Sequence, residues 1–223
     1  MRSSLLVTAV LALSLGLVGA AARVTVEDWT GQRLGGHGIP EGWSAYATPG
    51  GRPAYDVTIA EDEGRRALAL RSRDEHSTIA KEIEVDLAAT PILEWTWKMR
   101  ELPAGADVRD RSTSDLSAHL LVVWPRFPGP LRTRIIAYAW GTGEPAGSVE
   151  PSRKTRTVTF FLLRSGAEQL GRFVTERRDV VEDYRRVYGE RPDNPRVIAI
   201  SIDTNDTHAS AAALIGAIAF TSR

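Results

Sequence analysis

The stretch Leu93-Glu94-Trp95-Thr96-Trp97-Lys98-Met99 alternates without a break, with Leu93, Trp95, Trp97 and Met99 on one side and Glu94, Thr96 and Lys98 on the other. A side-chain period of two belongs to a strand with one buried face. Two tryptophans on that face suit the core of a sandwich. The pattern recurs outward. Within 54–60, Tyr55, Val57 and Ile59 alternate with Asp56 and Thr58; within 79–87, Ile83, Val85 and Leu87 alternate with Glu82, Glu84 and Asp86. Segments 118–124, 135–140, 158–163, 197–202 and 214–220 are more continuously apolar, as expected of central strands covered on both faces.

The connector Pro125-Arg126-Phe127-Pro128-Gly129-Pro130 must be a loop, because three prolines deny it ladder hydrogen bonds. It makes 118–124 and 135–140 a long-looped hairpin. One helix is legible at about 180–188: Asp179 and Glu182 have capping-box spacing, and Val180, Val181, Tyr184, Val187 and Tyr188 form a stripe. Gly189 and Pro192 end it. Many short strands and one late helix predict an all-β, jelly-roll-like antiparallel β-sandwich rather than an α/β scheme, which needs a helix between successive parallel strands.

The 223-residue chain opens with Arg2, an apolar run from Leu5 to Val18, and Gly19-Ala20-Ala21-Ala22. The run is shorter than the roughly 20 residues of a membrane-spanning helix and leads into small residues. It therefore reads as a signal peptide over 1–22, cleaved after Ala20 or Ala22. The mature chain, 23–223, is expected to be a single domain in the periplasm or outside the cell, with no membrane span after cleavage. It carries no Cys, which removes lipoprotein attachment, thiolate metal sites and thiol nucleophiles from consideration.

Acidic and basic residues balance at 28 each, so nucleic acid is not an expected partner. The basic set is mostly Arg, with only Lys81, Lys98 and Lys154 as lysines. Arginines grip carboxylates or sulfates bidentately, which leaves an acidic ligand open.

Several segments stand in a characteristic order: Ile39-Pro40-Glu41-Gly42-Trp43, Pro91-Ile92-Leu93-Glu94-Trp95-Thr96-Trp97-Lys98, Leu102-Pro103-Ala104-Gly105-Ala106-Asp107, Tyr138-Ala139-Trp140-Gly141, Glu176-Arg177-Arg178-Asp179-Val180, Asp183-Tyr184 and Asp203-Thr204-Asn205-Asp206-Thr207. With these the chain resembles the bacterial exported family known as domain of unknown function 3047. The resemblance implies a sandwich similar to galactose-binding and carbohydrate-binding modules, with no established activity. It departs from the family pattern twice: Ser114-Asp115 and His119 stand where an Asp-Asp pair and then an Arg are usual, and Asn205 and Asp206 are exchanged.

Asp203, Asn205, Asp206 and Thr207 follow a buried strand and offer several oxygens in a short loop, the kind of set calcium takes. The same residues also suit an Asx-type turn that satisfies its own backbone. If the 118–124 and 135–140 strands pair, Trp140 is expected beside Asp115 and His119 as an aromatic platform with polar neighbours, as a saccharide site requires. The bland reading is that Trp140 is core and His119 an interior hydrogen bonder. Trp124, with Phe127, is the other candidate platform, and its alternative is a loop pinned by its own aromatics. A role for Arg177 rests on the family resemblance.

Catalytic signatures are missing. There is no Gly-x-Ser-x-Gly elbow, His-Glu-x-x-His helix, Walker loop or dinucleotide fingerprint. His37, His76, His119 and His208 lack zinc-ligand spacing. The leading expectation is an exported non-catalytic binding module for a carbohydrate or other envelope polymer. An envelope interaction or assembly protein and an unrecognised hydrolase are the alternatives.

Overall fold

The computed structural model describes residues 21–46 and 53–223. The signal-peptide segment lies, up to residue 20, outside the described residues. Thirteen strands and two short helices follow in chain order: β1 (Arg23–Glu27), β2 (Ser44–Ala45), β3 (Val57–Asp62), β4 (Arg65–Arg73), β5 (His76–Glu82), β6 (Ile92–Glu101), β7 (Leu116–Trp124), α1 (Gly129–Arg132), β8 (Arg134–Gly141), β9 (Val149–Pro151), β10 (Val158–Ser165), β11 (Val174–Asp179), α2 (Val180–Tyr188), β12 (Val197–Asp203) and β13 (Ser210–Thr221).

They form the two sheets of a jelly-roll-like sandwich. One runs β11-β6-β13-β4-β3, with β1 on the same edge of β13 as β4; the other runs β2-β5-β12-β7-β8-β10-β9. Pairing is antiparallel except between β8 and β10, which lie parallel. The β7–β8 hairpin has the expected register, with Leu120 opposite Tyr138 and Trp124 opposite Arg134. The strand expected over 79–87 stops at Glu82, although Ile83, Val85 and Leu87 remain buried. The edge strands β2 and β9 are too short to show a period in the sequence.

The core lies between the sheets, where alternate residues of each inner strand meet. Trp95 packs on Tyr138 with ring centroids 5.3 Å apart, and Trp97 meets Trp140 edge-on at 5.9 Å. At one end α2 closes the sandwich. Its N-cap Asp179 accepts from the backbone N–H groups of Val181 and Glu182. Gly189 ends it in the left-handed conformation at φ 73°, which a residue without Cβ adopts at no steric cost. Tyr184 of α2 stacks edge-on against Trp124 at 4.7 Å.

Candidate functional site

Strand alternation gives the seven-stranded sheet an outer face as well as a core face. On the core side of β7 and β8 lie Ala118, Leu120, Val122, Trp124, Ile136, Tyr138 and Trp140. On the outer side a separate cluster of buried apolar residues gathers Leu116, Leu121, Val123, Ile135, Ala137, Ala139, Phe160, Leu162, Ala80 and Ala199 with Val108 of the loop after β6, and Tyr46, Val158 and Val197 pack against it. This second cluster contains no residue from the other sheet or from either helix. It accounts for the continuously apolar β7, β8 and β12.

The register defines what this face presents. One row crosses the strands as Ser44, Ala80, Ala199, Leu121, Ala137 and Phe160. The neighbouring row carries Thr78, Ser201 and His119. Strands β5 and β12 thus offer only small side chains between Tyr46 at the sheet edge and His119, Leu121 and Phe160 beyond. The hydroxyls of Thr78 and Ser201 share a hydrogen bond of 2.7 Å. His119 donates from Nδ1 to the Ser117 carbonyl at 3.0 Å and meets Phe160 edge-on. Burial lowers its pKa to about 4, so the ring is neutral at physiological pH and its Nε2 is an acceptor. Burial likewise pushes the Tyr46 phenol up.

At one end of this face the chain gathers charge. Asp115 is fully buried. Its Oδ1 accepts from the Asp206 backbone N–H at 3.1 Å, and its Oδ2 accepts from the Thr207 N–H at 2.7 Å and hydroxyl at 2.6 Å. The Asp203 carboxyl also hydrogen-bonds Asp115. Burial opposes ionisation of Asp115, yet its donors together hold its pKa below the usual range. Asp203 is pushed well above that range, by burial first and then by Asp115. Lys154, from the loop after β9, pairs with Asp206 and donates to the Ser114 carbonyl at 3.5 Å. His76 is buried at the same end of β5, and burial followed by the Lys154 charge lowers its pKa.

At the other end the face opens into a cleft of about 470 Å³ lined by Glu82, Ile83, Glu84, Pro125, Arg196 and Val197. Six residue steps along β12, from Val197 to Asp203, separate the two ends, roughly 20 Å at strand rise.

The sequence-predicted residues divide. Asp115, Asp203, Asp206 and Thr207 come together, and Asp203 and His119 share the outer face with Thr78, Ser201 and Tyr46. Trp140 does not join them: it is 1 % exposed, sits in the core and donates from Nε1 to the Gly166 carbonyl at 3.0 Å. Trp124 is likewise 1 % exposed and donates to the Asp193 carbonyl. Neither indole offers an open ring face, because both occupy the inward parity of the hairpin. Phe127, by contrast, stands 90 % exposed. Arg177 lies on the outer face of the other sheet, paired with Glu94.

In the loop, the Thr207 hydroxyl donates to Asp115 and Asp206 pairs with Lys154. No group of three or more His, Asp or Glu side chains among the described residues is placed to hold a metal ion. Sequence reasoning missed Tyr46, Thr78, Ser201, Phe160 and Lys154. The signal was available for Ser201, a polar residue within an otherwise apolar strand on the outward parity.

Among solved structures, the chain is similar to the family 11 carbohydrate-binding module of a Clostridium thermocellum cellulase. Identity is 10 % and the TM-score 0.48, over 92 % of this chain and 96 % of that one. It is also similar to the xyloglucanase domain of NopAA from Sinorhizobium fredii (12 % identity, TM-score 0.45, covering 82 % and 95 %). A third is the mannan-recognising module TmCBM27 (14 % identity, TM-score 0.41, covering 91 % and 99 %). No curated protein matches the chain in sequence. The family model described as protein of unknown function, DUF3047, matches residues 41–219, and the chain belongs to that family.

Proposed function

We propose that the chain is an exported, non-catalytic binding module whose outer sheet face takes a saccharide segment of an envelope polymer. One observation carries this reading. The face combines an apolar floor of small side chains and the half-buried Tyr46 ring at its edge with buried Phe160 and buried hydroxyl and imidazole groups at Thr78, Ser201 and His119. It leads into the Glu82–Arg196 cleft. A pyranose ring has an apolar face and a rim of hydroxyls, so it needs apolar contact and hydrogen-bonding partners side by side.

The test is a glycan array followed by calorimetry on the hits, with wild-type protein, Tyr46→Ala, Arg196→Ala and the remote Arg177→Ala. Saccharide binding weakened by the first two substitutions and unchanged by the third supports the reading. A protein partner captured from envelope extract and indifferent to sugars would replace it with the assembly role. Release of reducing ends from a bound glycan would replace it with a hydrolase.

A further inference from the structure

The connector between β7 and β8 carries a feature that saccharide binding does not use. Phe127 is 90 % exposed and Leu131 75 % exposed, four positions apart on one turn, and they are the two most exposed large apolar side chains among the described residues. Beside them lies a cavity of about 230 Å³ lined by Arg126, Arg132, Arg134 and Arg156 with Leu131, Thr133 and Tyr188.

Two of these arginines are anchored. Arg126 donates to the Tyr184 hydroxyl at 3.1 Å and pairs with Asp193, and Arg134 pairs with Glu190 and lies over the Tyr188 ring at 4.5 Å. Arg132 reaches only the Phe127 carbonyl, at 3.4 Å, and neither it nor Arg156 makes an ion pair among the described residues. Four cations thus face two carboxylates, and Arg132 and Arg156 have no ion-pair partner among the described residues.

An apolar tip with a cationic collar matches a bilayer surface, where phosphates meet arginines and acyl chains take the rings and branched side chains a few ångströms deeper. We propose that the 126–134 turn docks the protein on an anionic lipid surface, with Phe127 and Leu131 inserted and Arg132 and Arg156 on headgroup phosphates. Two apolar side chains alone give reversible attachment, and the cations supply the second signal that stable anchoring needs. The turn belongs to the Trp124 end of β7, away from the Asp115 end, so docking leaves the carboxylate end of the outer face clear of the lipid.

The experiment is vesicle flotation of the full chain with phosphatidylcholine alone and with added phosphatidylglycerol. The expected result is flotation with the anionic vesicles, weakened by salt, and none with the neutral ones. Phe127→Ser with Leu131→Ser should lower partitioning by roughly tenfold or more. Arg132→Gln with Arg156→Gln should lower it and flatten the salt dependence. All four positions are solvent-facing, and circular dichroism of each variant verifies an unchanged fold. Fluorescence of Phe127→Trp should be quenched by brominated lipid. No flotation, or flotation indifferent to these substitutions, overturns the proposal. So does binding of inorganic phosphate that Arg132→Gln with Arg156→Gln abolishes while Phe127→Ser with Leu131→Ser changes nothing, which would mark a simple anion pocket. A dimer in sedimentation velocity that Phe127→Ser disperses would assign the tip to a second copy instead.

Discussion

Asp203 sets its carboxyl against the Asp115 carboxyl, and the two are driven in opposite directions, Asp203 well above the usual carboxylate range and Asp115 below it. Such a pair is satisfied with one proton between them. The native state binds the Asp203 proton more tightly than the unfolded chain does. Its contribution is therefore whole below the ordinary carboxylate pKa and is lost as pH rises through the raised value. Asp115 works the other way, contributing above the ordinary pKa and losing that contribution as pH falls through its lowered one. Thermal unfolding followed against pH should show stability falling on the alkaline side. Asp203→Asn, which still donates to Asp115 but has no proton to lose, should flatten that fall. An unchanged profile in the variant would dismiss the shared proton.

The correction to Trp140 has its own test. Because the indole is enclosed between the sheets, Trp140→Ala should cost about 3–5 kcal/mol of unfolding free energy in denaturant titration. Any loss of ligand binding should then track the unfolded fraction. Tyr46→Ala should instead leave the unfolding free energy within about 1 kcal/mol of wild type and lower saccharide affinity. If Trp140→Ala proves as stable as wild type, the ring is not core.

Asp183 is buried and accepts from the Tyr138 hydroxyl at 2.8 Å and from Arg178 Nε at 2.9 Å. Removing it strands a hydroxyl and a guanidinium where the sandwich meets α2. Asp183→Ala should destabilise by about 3 kcal/mol, since breaking a buried pair leaves the other charge uncompensated. Asp183→Asn should cost less. Equal effects of the two would mean that the loss is one of shape alone.

Gly216 tests the backbone of β13. A Cβ there would meet Thr96 Oγ1 at 2.1 Å, so Thr96 must leave its rotamer to admit it. Gly216→Ala should therefore cost about 1–3 kcal/mol, and Thr96→Ala in the same chain should recover part of it. Simple additivity of the two substitutions would place the strain elsewhere.

How legible the site was in the sequence comes down to parity. Residues opposite one another in an antiparallel pair share a face, and Leu120 stands opposite Tyr138. Two steps along, Trp140 shares the inward face with Ala118, while His119 looks out. The hairpin was readable from its apolar runs and prolines, so the separation of Trp140 from His119 followed from the same register. The meeting of Asp115 with the Asp203 loop followed from which strand ends lie together, with Asp203 opposite Leu116. Tyr46 and the β2 edge were not legible, because two paired residues show no period. The parallel β8–β10 pair was hidden for another reason. Parallel neighbours usually advertise themselves by an intervening helix, and here a short hairpin strand, β9, fills the crossover.

The place of β13 bears on the order in which the chain can fold. It pairs with β1, β4 and β6, all of which precede it, so the six-stranded sheet has no centre until residues 210–221 have been synthesised. Until then β4 and β6 have no strand to join them, and the tryptophans of β6 lack the opposing Ile215, Ile218 and Phe220 that flank them in the finished core. A nascent chain built this way should close the six-stranded sheet only once β13 is made. Deleting residues 210–221 should leave a protease-sensitive polypeptide rather than a smaller domain.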